Sequence, residues 1–270
     1  MATEASKQLT PVDSLKRVLS TQSVQEQFKN ALKDNSSLFV ASLIDLYNSD
    51  KYLQECKPGQ VVIEALKAAT LKLPINKALG FAYLVPFKNK GVPTPTFILG
   101  YKGYIQLAMR TGFYKFLNAD VVYEGEYKGK NKLTGEVDLT GEPKSEKVVG
   151  YFAYMQMLNG FTKTVYWDHE KILSHAKKYS KSYNNSSSAW HTNFDEMALK
   201  TVIRNLISKF GYLSVEMMNA VSDDMSADER NETEVTSEII MNANDQTIDI
   251  ESEHVTEEPE NEQPLSGPDF

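Results

Sequence analysis

The chain has 270 residues, of which 41% are hydrophobic, enough for a substantial core, and this excludes a wholly unstructured protein. Its one cysteine, Cys56, excludes an intrachain disulfide, and no stretch reaches the roughly 18 apolar residues of a membrane-spanning helix. The net charge of −7 conceals two opposed parts: residues 221–270 hold sixteen acids against Arg230, whereas residues 1–220 hold 28 Lys and Arg against 20 Asp and Glu.

In chain order, the polar start Met1 to Pro11 lacks the apolar run of a secretory signal, so a soluble cytoplasmic protein with no membrane partner is expected. Residues 1–57 read as a helical region, with Val12, Leu15, Val18 and Leu19, then Phe28, Ala31 and Leu32, then Leu43, Leu46 and Tyr47 at helical spacings. Pro58-Gly59 reads as a break, followed by a helix over Gln60 to Leu73 that ends at Pro74. Residues 58–220 are expected to form an α+β core. Phe81 to Phe87 and Thr94 to Leu99 read as strands of a hairpin around Lys88-Asn89-Lys90-Gly91. A helix follows over Lys102 to Arg110, then strands over Val121 to Tyr127, Val148 to Leu158 and Phe161 to Trp167. The last two are joined by Asn159-Gly160, the pair preferred in a tight type I′ turn. Asp168 is a natural N-cap for a helix over Glu170 to Lys178. Ser180 to Ser188 is a polar loop, and Trp190 to Phe210 is the longest helix, with Leu199, Val202, Ile203, Leu206 and Ile207 on one stripe. Beyond Val221 the composition predicts a mostly disordered acidic tail (221–270) with a partner-binding role and one short amphipathic piece, Val235 to Met241.

The strongest chemical signal is where acids are missing. Residues 65–119 contain no Asp or Glu, where the average of the first 220 residues would place about five, yet they hold Lys67, Lys72, Lys77, Lys88, Lys90, Lys102, Arg110 and Lys115. A second acid-free stretch, 171–194, holds Lys171, Lys177, Lys178 and Lys181. Solvated surfaces mix both signs, so this pattern points to a polyanion, with a lysine-rich surface balanced by acids elsewhere in the fold as the plainer alternative. Tyr101, Tyr104, Phe113, Tyr114, Phe116 and Trp190 lie among these cations; most are expected in the core, and Trp190, beside the serine loop, is the ring expected to reach a base. Helical spacing places Lys102, Gln106 and Arg110 on one face, and Glu196, Lys200 and Arg204 on another, where an ordinary Glu196–Lys200 pair competes with phosphate binding.

Enzyme signatures are thin. No phosphate-binding Gly-x-x-x-x-Gly-Lys-Ser/Thr loop occurs, and Gly100-Tyr-Lys-Gly-Tyr104 lacks the third glycine of a dinucleotide site. His169-Glu170 with His175 misses the spacing of a zinc helix. Glu124 and Glu126 would share one side of a strand, where a solvated face and a metal-dependent nuclease are the two readings. No catalytic centre is expected, and no cofactor, with magnesium as a potential modulator of DNA binding.

Phe97-Ile-Leu-Gly-Tyr-Lys-Gly-Tyr-Ile-Gln-Leu-Ala-Met-Arg-Thr-Gly112, with Glu196-Met-Ala-Leu-Lys-Thr-Val-Ile-Arg-Asn-Leu206, resembles the RecT family of phage single-strand annealing proteins and, more distantly, lambda Red beta. The resemblance runs over roughly residues 15–215 and includes Ala69-Thr-Leu-Lys-Leu-Pro-Ile-Asn76. It implies ATP-independent binding and pairing of complementary single strands in phage homologous recombination. It also implies a homo-oligomeric ring or helical filament, with the first 57 residues serving assembly, beside a phage exonuclease or a host single-strand binding protein. Lys102, Gln106 and Arg110, with Lys200 and Arg204, fall inside the two motif blocks. The hairpin at Lys88 and Lys90 is expected beside single-stranded DNA or the annealed duplex, and the 180–188 loop is expected to order on binding. The ending Gly-Pro-Asp-Phe270 resembles the acidic, Phe-terminated tails of bacterial single-strand binding proteins, with a merely solubilising tail as the alternative.

Overall fold

The computed structural model of the chain describes residues 9–229 with the exception of 90, 181 and 187. The Thr10 hydroxyl accepts the Asp13 N–H at 3.1 Å, and Pro11, whose missing N–H is no loss at a first helical position, starts α1 (Pro11–Leu19). α2 (Gln22–Leu32) leads through a tight turn at Lys33–Asn35 into α3 (Ser36–Ser49) and α4 (Lys51–Gln54). The spacing of Leu15, Leu19, Phe28, Leu43 and Tyr47 turns them to one side, where all are buried, and α1 and α2 pack on α5 (Pro58–Thr70). Pro58 thus begins a helix instead of breaking one. α5 ends before Leu73 because Lys72 takes a left-handed φ of 52°, and the N–H groups of Lys72 and Leu73 turn back to the Ala69 and Ala68 carbonyls at 2.9 and 3.0 Å.

β1 (Ala82–Asn89) and β2 (Val92–Leu99) form the expected hairpin, with Asn89 opposite Val92 and Gly91 at a φ of 81°. Pro86 faces Pro95 across it; prolines give a strand few N–H groups to offer a third, and the hairpin stays two-stranded. α6 (Tyr101–Arg110) follows at once. An antiparallel sheet of order β3-β6-β7 comes from β3 (Tyr114–Tyr123), β6 (Val148–Met157) and β7 (Thr162–Asp168), with the small hairpin β4 (Gly129–Lys130) and β5 (Val137–Asp138) as an excursion. α7 (His169–Tyr179), α8 (Ala189–Thr192), α9 (Phe194–Phe210) and α10 (Val215–Glu229) complete an α+β fold. α9 lies against β3, β6 and β7, and Val202, Ile203, Leu206 and Ile207 are buried beneath it, each worth roughly 1.5–3 kcal/mol.

Several elements differ from expectation. β3 begins at Tyr114 and stops at Tyr123, not Val121 to Tyr127, because an irregularity between Tyr114 and Phe116 interrupts the two-residue alternation that marks a strand. Asn159-Gly160 is not a type I′ turn: only Gly160 has positive φ, and the Met157 N–H reaches the Phe161 carbonyl at 2.8 Å around a three-residue loop. The long helix breaks at Asn193 (φ −143°, ψ 52°), which separates α8 from α9. α10 crosses the expected 220/221 boundary. Val235 to Met241 and the Phe270 terminus lie outside the described residues.

Candidate nucleic-acid interface

The motif around α6 is explained first by packing. A Cβ on Gly100 would lie 2.1 Å from the Gly80 carbonyl oxygen, and one on Gly103 would lie 2.2 Å from that of Phe81. Both glycines let the helix start ride directly on the 80–81 backbone, whose Phe81 carbonyl accepts the Gly100 N–H at 3.0 Å. This close seating buries Tyr104, Leu107 and Ala108 and leaves Lys102 and Gln106 exposed, as their four-residue spacing predicted. The Lys102 ammonium lies 5.8 Å from the Tyr101 ring centre. Arg110 is engaged differently, since its guanidinium donates to the carbonyls of Leu71 and Lys72 at 2.7 and 3.1 Å, closing the C-terminal end of α5. Of the other cations in the acid-free window, Lys67 pairs with Glu64 at 3.0 Å and Lys77 with Asp50 at 2.8 Å. The plainer reading therefore accounts for part of that window. Lys88, Lys102 and Lys115 are exposed and pair with no carboxylate among the described residues, and Lys177 is likewise unpaired there.

Lys200 and Arg204 do not face outward. Lys200 is 5% exposed, and its ammonium lies 2.7 Å from Asp224 of α10, with the Arg204 guanidinium 3.3 Å from the other carboxylate oxygen. The Tyr104 hydroxyl donates to the same carboxylate at 2.7 Å. Burial pushes the Asp224 carboxyl up, but the two cations and these hydrogen bonds outweigh it and hold the group below the usual carboxylate range. The expectation that this helix face meets phosphate is corrected: its charges are satisfied internally, by an acid that composition had assigned to the tail. The competing Glu196–Lys200 pair is not formed either. Trp190 is also corrected, being buried with its ring edge-on to Phe194 at 5.7 Å.

The exposed rings lie elsewhere. Tyr104 and Tyr114 are core; burial pushes the Tyr114 hydroxyl up to about 12, against the lowering effect of its 2.8 Å bond to the Tyr212 carbonyl. Phe113 and Phe116 are 47% and 54% exposed. Phe113 packs on Tyr212 with ring centres 4.1 Å apart, and the Lys115 ammonium lies 5.5 Å from the Phe116 ring. Tyr212 went unnoticed in the sequence, since it stands alone past the end of α9. The two sets, Phe113 with Tyr212 and Phe116 with Lys115, each present an exposed ring suited to stacking bases without reading them. Of the residues expected to contact DNA, Lys115 at the start of β3, Lys102 and Gln106 on α6, Lys88 in the hairpin and Lys177 and Lys178 at the end of α7 are exposed. Lys90 and Lys181 lie outside the described residues.

The acids and histidines weighed for catalysis serve local contacts. Glu124 and Glu126 lie past β3, not on it: Glu124 accepts the Ser145 hydroxyl at 2.9 Å and Glu126 the Tyr123 N–H at 2.6 Å. His169 stacks on Phe194 at 4.8 Å and His175 meets the Trp167 ring at 5.3 Å. Among the described residues no three His, Cys, Asp or Glu side chains are grouped to hold a metal ion, and no helix is long and apolar enough to cross a membrane.

The chain is matched by the model of the RecT family over residues 37–237. It is 45% identical over 218 residues to the uncharacterized protein YqaK of Bacillus subtilis strain 168, a match covering 80% of this chain and 74% of that one. It is 34% identical over 181 residues to Protein RecT of Escherichia coli K12, covering 64% of this chain and 65% of that protein.

Proposed function

The chain belongs to the RecT family, and on that footing we propose that it binds single-stranded DNA and pairs complementary strands in phage recombination, without ATP. The observation that carries the reading is the occurrence of lysines and exposed rings at α6 and the start of β3, with no carboxylate paired to Lys102 or Lys115 among the described residues. Two strands repel through their phosphates, and a cationic surface lowers that cost by neutralising charge and releasing counterions. Phe113, Phe116 and Tyr212 offer faces on which bases stack while their pairing edges stay open. Base pairing then supplies the sequence check, so no residue need read a base edge. Assembly into a ring or filament lengthens the track along one strand, and a phage exonuclease or a single-strand binding protein of the host supplies or hands over that strand.

A gel shift with a labelled oligonucleotide tests this, run with and without its complement and with and without magnesium. Binding followed by duplex formation in the absence of ATP is the expected result. Digestion of the DNA on adding magnesium would establish a nuclease instead, and absence of any shift would leave only a protein scaffold.

A further inference from the structure

The side of the β3-β6-β7 sheet away from α9 carries its own aromatic site. Along β6, Tyr151, Ala153 and Met155 are buried on the α9 side, so Gly150, Phe152 and Tyr154 alternate to the other side, with Tyr166 of β7 opposite Phe152. A Cβ on Gly150 would lie 2.5 Å from the Tyr166 ring, so glycine there lets that ring lie down on the sheet. Tyr127, from the excursion after β3, stacks on it with ring centres 4.4 Å apart and planes within 10°. Tyr127 is itself 38% exposed, which makes it the open end of a backed stack.

A cavity of about 570 Å³ opens at this stack, within the roughly 300–1,000 Å³ of sites that hold small molecules. Tyr127, Tyr166, Lys130 and Lys171 line it, together with Glu124 and Asp168. Both acids are already engaged: Asp168 caps α7 by accepting the Lys171 backbone N–H at 2.7 Å, and Glu124 holds the Ser145 hydroxyl. Neither pairs with the lysines, and Lys130, Lys171 and nearby Lys209 have no ion-pair partner among the described residues. Partial burial, then the charge of Lys130, and to a lesser degree that of Lys209, pull the Lys171 ammonium below its usual range, with Asp168 opposing. The Lys171 ammonium lies 4.4 Å from the Trp167 ring centre, a contact that leaves its charge without a counterion, and two such ammonium groups beside an open ring suit an anion attached to an aromatic.

We propose that this cavity holds one nucleotide unit of a DNA strand, its base stacked on Tyr127 and its phosphate between Lys130 and Lys171. The inference rests on the DNA-binding reading above and adds a contact distinct from the α6 and β3 surface. Phe116, opposite Gln156, shares this side of the sheet but lies at its far end, whereas Phe113 packs on Tyr212 past the end of α9, so the stack suits a second strand, or a further stretch of the first, instead of the segment on Phe113.

The test uses the full chain and an oligothymidylate carrying 5-iodouracil, photo-crosslinked and mapped by peptide mass spectrometry, with free thymidine monophosphate as a competitor. Crosslinks on Tyr127 that the monophosphate does not displace support the site, as does a Lys130→Gln/Lys171→Gln chain whose plot of log affinity against log salt loses about 0.7 units of slope, the value for one phosphate contact on a single strand. The single variant Lys130→Gln, at an exposed residue, should lose about half of that. Bound DNA that crosslinks only at Phe113, Phe116 or Tyr212, with unchanged slopes, overturns this site and leaves the DNA-binding reading standing. Full displacement by the monophosphate makes the cavity a free-nucleotide site and overturns it also. Failure to bind the oligonucleotide at all overturns both.

Discussion

Replacing Asp224 by Asn removes one charge from a buried cluster and keeps its shape. In the intact protein Asp224 is 1% exposed and is approached by the Lys200 ammonium and the Tyr104 hydroxyl, each at 2.7 Å, and by the Arg204 guanidinium at 3.3 Å. In the variant, Lys200 stays buried with an amide in place of its counterion. Removing one partner of a buried pair costs about 3–5 kcal/mol, because the other charge is left uncompensated. With a urea slope of about 2–3 kcal/mol per molar for a chain of this size, the unfolding midpoint should fall by about 1–2.5 M. Trp167 and Trp190 report the transition by fluorescence. The pH dependence has a definite sign. The folded carboxyl is held below its ordinary value, so its contribution is complete above the unfolded pKa of about 3.9 and is lost as pH falls through the lower folded pKa. Intact and variant chains should therefore differ at neutral pH and converge in strong acid. A variant within about 0.5 kcal/mol of the intact chain at neutral pH, the range of an ordinary surface substitution, would refute the claim that α10 is pinned by this cluster.

Gly103→Ala forces a Cβ to within 2.2 Å of the Phe81 carbonyl oxygen and 2.7 Å of Leu99, and should cost about 1–3 kcal/mol in urea unfolding. Lys72→Gly relieves a left-handed φ of 52° and should stabilise by about 1 kcal/mol; a lower melting temperature would contradict that. Lys102→Ala should leave the melting temperature unchanged and flatten the salt dependence of single-strand binding by about 0.7 units, whereas Arg110→Ala should lower stability by about 1–3 kcal/mol through loss of its bonds to Leu71 and Lys72. Phe113→Ala should weaken oligonucleotide affinity by about 1–3 kcal/mol in fluorescence anisotropy, an effect absent if its ring serves only Tyr212.

The α+β architecture, the β1–β2 hairpin, the cap at Asp168 and the outward side of α6 follow from local rules that act over a few residues. What local rules could not give were partners distant in the chain. Lys200 sits at the spacing of an exposed helix face, yet its counterion lies 24 residues on, in a stretch whose composition speaks of a tail. Arg110 was placed on the correct face, but its acceptors are backbone carbonyls 38 and 39 residues earlier, and carbonyls leave no mark in a sequence. Trp190 beside serines reads as exposed, although the break at Asn193 folds it against Phe194. The β3 irregularity hid both the strand and the exposure of Phe116. In each case a tertiary contact overrode an adequate local pattern.

The most direct test is the rate at which complementary oligonucleotides renature with the purified full chain in the absence of ATP, measured between about 50 and 200 mM salt, where counterion release weakens phosphate-bound complexes steeply. Acceleration that fades as salt rises and is diminished in Lys102→Ala and Phe113→Ala is the predicted result. Renaturation no faster than in buffer alone, or acceleration indifferent to salt and to both substitutions, would contradict the account.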